Sequence, residues 1–246
     1  MDRLIYTALS GMDAAMARQR AISSNLANGS TPGFRAENFS TTTMHVTGPF
    51  WDVRGMAQGG VRGADMDPAQ TTATGRALDV AIRGDALMAV QAADGSEAYT
   101  RRGDLSVDVN GRLTNGDGLQ VIGEGGPIMV PPGWNVSIGT DGSVLAADPA
   151  APDAPAEAVG RIKLASPAGS ALLKGLDNQL RVPDGGILPT DPTAELSIGA
   201  LEQSNVDVSG TLVEMIDAQR GFERRAKLIS TADQLDQSSA RLMSLS

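Results

Sequence analysis

The chain has 246 residues, enough to bury a substantial core as one large domain or two small ones. It is 41% hydrophobic but only 3% aromatic, with 29 glycines and 13 prolines, a turn-rich balance that disfavours an aromatic-lined small-molecule site. A net charge of −9 predicts repulsion from phosphate backbones and anionic lipid, so neither nucleic acid nor membrane insertion is expected, and the absence of cysteine excludes disulfides, thiolate nucleophiles and sulfur-ligated metals.

The opening Met1-Asp2-Arg3-Leu4-Ile5-Tyr6 lacks the basic start and apolar run of a secretory signal, and no segment has the roughly 20 apolar residues that span a bilayer. A cytosolic protein is expected, or one that leaves the cell by a route reading no cleaved signal. Over residues 1–28, Ile5, Leu9, Met12, Met16, Gln19, Ser23 and Leu26 recur at steps of four and three, which predicts a helix with a narrow seam. Gly29, Pro32 and Gly33 end it. Residues 35–75 are Gly- and Thr-rich with neither period and are expected to be an extended or irregular connector.

From 76 to 205 the period changes to two. Segments 78–82, 105–109, 135–138 and 161–164 alternate in polarity and are punctuated by Asp94-Gly95, Asn110-Gly111, Asn115-Gly116, Asp117-Gly118, Asp141-Gly142 and Asp184-Gly185, dipeptides that tolerate the positive φ of tight hairpins. An antiparallel β-rich domain is predicted there, with a surface loop over 147–155. The final segment, 206–246, repeats the helical design through Leu212, Met215, Gln219, Phe222, Ala226 and Ile229, then less regularly through Ala232, Leu235 and Leu242. Thr211 with Glu214 predicts a capping box at its start, and a helix from about 211 to 243 would extend roughly 50 Å. The fold class is α+β, mainly β, with long terminal helices forming a coiled-coil-like axial part.

Burying each Leu or Met of such seams is worth roughly 1.5–3 kcal/mol, so pairing the two helices in one chain and packing the pair against neighbouring chains is the simplest solution. The expected assembly interface is Ile5, Leu9, Met12, Met16, Leu26, Leu212, Met215, Gln219, Phe222 and Ile229. Met12, Met16 and Met215 serve either as core filler or as adaptable contacts between subunits. Arg220, Arg224, Arg225 and Lys227 with Glu223 read either as a solvated face or as the source of a salt bridge between subunits.

No catalytic, cofactor-binding or metal-binding residue is assigned. His45 is the single histidine, which leaves no material for a histidine-based triad or metal cluster. Gly123-Glu124-Gly125-Gly126 lacks the Gly-Lys-Ser/Thr of a nucleotide loop and is expected to be a turn. The opposing class, a monomeric β-rich binding or hydrolytic domain, would need a convergent acid, base and nucleophile.

Asn25, Ala27 and Asn28 followed by Thr31-Pro32-Gly33-Phe34-Arg35 resemble the signature of the flagellar rod and hook protein family. The resemblance continues through 78–85, 98–103 and 111–114, and through Leu201-Glu202-Gln203-Ser204-Asn205-Val206-Asp207 into the last helix. The opening residues and 121–128 look most like the proximal rod branch, with distal rod and hook branches as near relatives. Where members usually carry Gly-Phe-Phe, this chain has Ala86-Leu87-Met88. The resemblance implies a non-enzymatic axial subunit without cofactors, exported unfolded through the flagellar type III apparatus into the periplasm-spanning rod. Its partners would be its own copies and neighbouring rod subunits, and its termini would order on assembly. In the signature, Asn28 and Gly29 are expected to take the left-handed conformation that ends a helix, with Pro32 and Gly33 turning the chain away.

Overall fold

A computed structural model describes residues 2–47, 52–151 and 153–244; the side chains of Ile5, His45, Ala232, Leu235 and Leu242 lie outside what it describes. The chain is mainly β, with one long helix at each end, and it divides into two compact units. Residues 1–27, 37–62 and 207–246 form a helical unit, and residues 28–36 and 63–206 form a β unit.

In the helical unit, α1 (Asp2–Ala27) packs against α2 (Val208–Ser244), and the strands β1 (Glu37–Thr47) and β2 (Asp52–Ala64) pair as a two-stranded sheet that runs on to Ala64. The region expected to be extended or irregular thus carries two long strands. Helix α2 starts three residues before the predicted capping box. The Asp207 carboxylate accepts the Ser209 N–H at 3.1 Å, and the Asp207 carbonyl takes the Thr211 N–H at 2.9 Å and its hydroxyl at 2.7 Å. An Asp whose oxygen reaches the second helical N–H satisfies a donor that would otherwise lack a partner, so Asp207 takes the cap in place of Thr211.

The β unit adds β3 (Thr71–Ala73), β4 (Val80–Ile82), β5 (Leu87–Gln91), β6 (Glu97–Thr100), β7 (Ser106–Val107), β8 (Leu113–Thr114), β9 (Gln120–Gly123) and β10 (Gly126–Pro127). After these come β11 (Asn135–Ile138), β12 (Ser143–Ala147), β13 (Glu157–Arg161), β14 (Leu164–Ala165), β15 (Leu173–Lys174), β16 (Leu180–Arg181), β17 (Leu196–Ile198) and β18 (Ala200–Glu202). An antiparallel sheet runs β15-β16-β6-β5-β9-β8-β7, with β10 on β9 and β14 on β5. Strands β11-β12-β13 form a second antiparallel sheet, while β17 pairs with β4 and β18 with β3.

Strand β5 sits at the centre of the first sheet and is buried on both faces. Ala86, Met88 and Val90 enter one core, whereas Leu87 and Ala89 enter a second beside Tyr99, Leu180 and Leu188. The Ala86-Leu87-Met88 departure from the family pattern therefore fills both cores with aliphatic side chains, all at 4% exposure or less. Tyr99 is held by its hydroxyl, which donates to Glu97 and accepts the Leu188 N–H, both at 2.7 Å. Burial and the Glu97 hydrogen bond push its pKa well above the ordinary tyrosine value.

Five of the six turn dipeptides place glycine at positive φ, from 73° at Gly185 to 84° at Gly95. Asn115-Gly116 does not. There the Asn115 side-chain amide oxygen takes the N–H groups of Asp117 and Leu119, and a Cβ on Gly116 would lie 2.0 Å from the Asp104 carboxylate, so glycine there makes room for the Asp104 and Arg102 side chains rather than serving a positive φ. The alternation read over 105–109 ends early: strand β7 covers only 106–107, and Val109 lies in the turn closed by Asp108, 97% exposed. Gly123 and Gly126 face each other across a two-residue turn between β9 and β10.

Candidate assembly site

On α1 the buried residues are Ser10, Ala14, Ala21 and Ile22, at 3–8% exposure. At 100° per residue Ser10, Ala14 and Ala21 lie across the helix from the seam of Leu9, Met12, Met16, Gln19, Ser23 and Leu26, while Ile22 lies beside its Leu26 edge. Leu9 and Met16 are 46% and 41% exposed, Ser23 is exposed, and Met12, Gln19 and Leu26 are half-buried. The two helices pair within the chain and leave the seam partly uncovered, with Leu9 and Met16 open and Met12, Gln19 and Leu26 half-covered. Small side chains make the inner face because they let neighbouring backbone approach: a Cβ on Gly59 would stand 3.1 Å from that of Ala14, and the Ala57 N–H reaches the Ser10 hydroxyl at 3.3 Å.

Helix α2 is divided differently. Met215, Phe222 and Ile229 are half-buried, while Leu212 and Gln219 are exposed. Val213, Ile216 and Leu228, which the periodicity did not select, are 60%, 52% and 65% exposed. Both helices thus carry large apolar side chains on faces left open within the unit.

A cleft of about 460 Å³ opens among α1, α2 and the two long strands of the helical unit. Arg18, Arg224 and Arg225 line it with a single acid, Asp217, over a floor of Phe39 and small residues. A Cβ on Gly221 or Gly11 would come within 3.2 or 3.8 Å of the Arg225 guanidinium, so these glycines leave it room. The basic cluster is therefore split: Arg224 and Arg225 line the cleft, whereas Arg220 and Lys227 do not, and all four are exposed.

The signature residues have separable tasks. Asn25 clamps the start of β1, accepting the Glu37 N–H at 2.7 Å and donating to the Glu37 carbonyl at 3.2 Å, while the Ser24 hydroxyl donates to the Glu37 carboxylate at 2.6 Å. Ala27 is the last helical residue. The Asn28 carbonyl and side-chain oxygen accept the Thr31 N–H and hydroxyl, both at 3.1 Å. Neither Asn28 nor Gly29 has positive φ, contrary to expectation; Gly33 does, at 66°. Side-chain and backbone bonds from Thr31 already occupy Asn28, so the left-handed step moves beyond Pro32. Gly33 donates its N–H to the Glu202 carbonyl at 2.8 Å, and a Cβ there would lie 2.4 Å from the Arg101 backbone. Phe34 is buried beneath the Lys174 ammonium, 3.3 Å from its ring centroid.

Behind this turn lies a buried Arg35–Glu202–Arg101 triad, each side chain 3–4% exposed. Glu202 meets Arg35 at 2.8 Å and Arg101 at 2.5 Å and accepts the Ala69 N–H at 3.0 Å. Arg101 also donates to the carbonyls of Ile82, Gly84 and Ala86 at 2.6, 2.7 and 2.9 Å. Burial pushes the Arg35 guanidinium below its ordinary value, Glu202 opposes that fall and Arg101 adds to it. Asn205 completes the hub: it accepts the Ala36 N–H at 2.7 Å and donates to the carbonyls of Asp65 and Asp67 at 3.0 and 3.2 Å. The chain passes between its units at 27/28, 36/37, 62/63 and 206/207, and the β-unit ends of three of these passages are fastened by Arg35, Glu202 and Asn205. Periodicity gave no signal for this hub, because charged and amide side chains in short irregular segments carry none; only the resemblance drew attention to the run from 201 to 207.

Comparison with known proteins agrees with this layout. Residues 5–35 match the family described as "Flagella basal body rod protein", residues 81–146 "Flagellar hook protein FlgE/F/G D1 domain", and residues 198–242 "Flagellar basal body rod FlgEFG protein C-terminal". The chain is 40% identical over 252 residues to the flagellar basal-body rod protein FlgF of Escherichia coli and 38% identical to that of Salmonella typhimurium, in each case covering 100% of both chains. It is 32% identical over 262 residues to the rod protein FlgG of Bacillus subtilis, covering 96% of this chain and 97% of the relative. The outer matches begin and end on the two helices and take in the signature turn and the Glu202–Asn205 stitches, and the chain belongs to the flagellar basal-body rod protein family.

Proposed function

We propose that this chain is a non-enzymatic structural subunit of the flagellar basal-body rod, in its proximal segment, which polymerises through its two terminal helices and carries torque from motor to hook. The observation that supports this reading best is on α1: its inner face is built of Ser10, Ala14 and Ala21, and the apolar side chains of Leu9 and Met16 on the other side remain open to a neighbour. With Leu212 and Ile216 of α2 they supply apolar area left open in the helical unit, and since each is already about half covered, completing its burial is worth roughly 1 kcal/mol. Met12, Leu26, Met215, Phe222 and Ile229, half-buried within the unit, would finish their burial in a coiled-coil-like axial layer. Ile5 and Gln219 belong to the same proposed interface.

Delivery would be through the flagellar type III export apparatus to a rod in the periplasm, with copies of itself and adjoining rod subunits as partners. No helix among the described residues is long and apolar enough to cross a membrane. The test is Leu9→Asp and Ile216→Asp, each introduced in place of the native gene. Both side chains are only about half covered, 46% and 52% exposed, so the folded unit should lose no more than about 2 kcal/mol while rod incorporation and swimming are lost. Normal swimming from both variants would refute the proposal.

A further inference from the structure

The net charge of −9 is not spread along the chain. The helical unit holds ten acidic and ten basic residues, whereas the β unit holds nineteen and ten, so the β unit carries all of it. Within the β unit, residues 113–160 contain six acidic residues and neither Lys nor Arg. Two of the six are matched from outside that run, Asp117 by Arg102 at 2.6 Å and Glu124 by Arg161 at 3.7 Å. After β12, Asp153 and Glu157 are exposed and Asp148 is half-buried with its carboxylate accepting the Ala150 N–H, and none of the three makes an ion pair among the described residues.

The cleft of the helical unit has the opposite character. Three arginines face one aspartate there, and none of the three guanidiniums forms an ion pair among the described residues. Its volume of about 460 Å³ falls in the range of sites that enclose a compact ligand, and its glycine and alanine walls keep the guanidiniums accessible. Guanidinium groups pair with carboxylates through parallel hydrogen bonds, and a groove focuses that attraction on a complementary segment.

We infer that this cleft receives the acidic side chains of Asp153 and Glu157 from a second copy of the chain, which pair with Arg224 and Arg225 while Arg18 closes the other wall. The contact is heterologous, since cleft and segment are different surfaces, and a repeated heterologous contact that does not close on itself builds an open filament. The inference rests on the rod-subunit reading and adds a second, polar contact to the apolar one.

Because the chain has no cysteine, two single-cysteine variants can be co-expressed in a strain lacking the native copy. Arg224→Cys in one copy and Asp153→Cys in the other should yield a disulfide-linked dimer in isolated rods, absent when either variant is expressed alone and absent when Asp94→Cys replaces Asp153→Cys. In parallel, Arg224→Glu with Arg225→Glu should abolish swimming, and Asp153→Lys with Glu157→Lys should restore it. Variants that enter rods without forming the Arg224→Cys/Asp153→Cys dimer would overturn the contact and leave the rod-subunit reading intact. Absence of the unaltered chain from rods would overturn both, and full swimming by the double glutamate variant would overturn the contact alone.

Discussion

Glu202→Gln isolates the role of the buried hub, because the change removes one charge and almost no volume. In the wild type a single carboxylate answers two guanidiniums, with all three groups at 3–4% exposure. Gln keeps an oxygen for the Ala69 N–H but leaves Arg35 and Arg101 as neighbouring buried cations. Breaking a buried pair by removing one partner costs about 3–5 kcal/mol, a large share of the 5–15 kcal/mol that holds a typical domain together. At roughly 2–4 °C per kcal/mol for a unit of this size, the melting temperature should fall by roughly 6–20 °C. The assay is thermal unfolding of the purified chain by circular dichroism, read beside Glu195→Gln. Glu195 and its partner Arg83 are 61% and 63% exposed, and breaking such a pair costs at most about 1 kcal/mol. A Glu202→Gln variant that melts no lower than Glu195→Gln would show that the triad contributes nothing beyond a surface pair, and the account of the hub would fail.

Two further outcomes follow from the same geometry. Gly33→Ala forces a Cβ to 2.4 Å from the Arg101 backbone at a φ of 66°, so it should destabilise the β unit by about 2 kcal/mol or more, read as a lowered urea midpoint; an unchanged midpoint would contradict the close approach. Asp177, Asp94, Asp141 and Asp191 have carboxyls held below the ordinary range, by Arg181, Ser96, Ser143 and Thr193 respectively, and Asp108 is lowered chiefly by the Arg112 N–H. A depressed folded-state pKa adds stability that is complete above the unfolded value of about 3.9 and is lost as pH falls through the folded one, so melting should be level from neutrality to about pH 5 and decline below about pH 4. A melting temperature constant down to pH 3 would refute that assignment.

What the sequence made legible follows from which forces leave a period. The two helices were readable because their apolar residues repeat at helical spacing, and five of the six turn dipeptides were readable because a backbone requirement for positive φ selects glycine directly. Strand β5 was not read from its pattern: Leu87, Met88, Ala89 and Val90 are all fully buried, so the strand has no polar face to alternate with. The inner face of α1 was missed for a related reason, since Ser10, Ala14 and Ala21 are selected for small size and add little to an apolar pattern. The hub of Arg35, Arg101, Glu202 and Asn205 depends on residues more than a hundred positions apart, such as the Ala36–Asn205 bond, and local spacing does not encode such pairings.

The partition of charge bears on how such a chain could polymerise. In an assembly built through the helical units, those units stand closest to one another, within the roughly 10 Å over which charges interact at 0.1 M salt. Any net charge there would be multiplied by every neighbour and would oppose the burial of Leu9, Met16, Leu212 and Ile216. A helical unit with ten charges of each sign carries no such penalty, so the apolar gain is kept. The β unit at −9 would repel its copies if they touched evenly, and that repulsion becomes selective when one acidic segment finds the arginine cleft of a neighbour. Apolar seams would then supply the affinity of assembly and the charge pattern its register. Raising the salt should accordingly loosen register before it dissolves the filament.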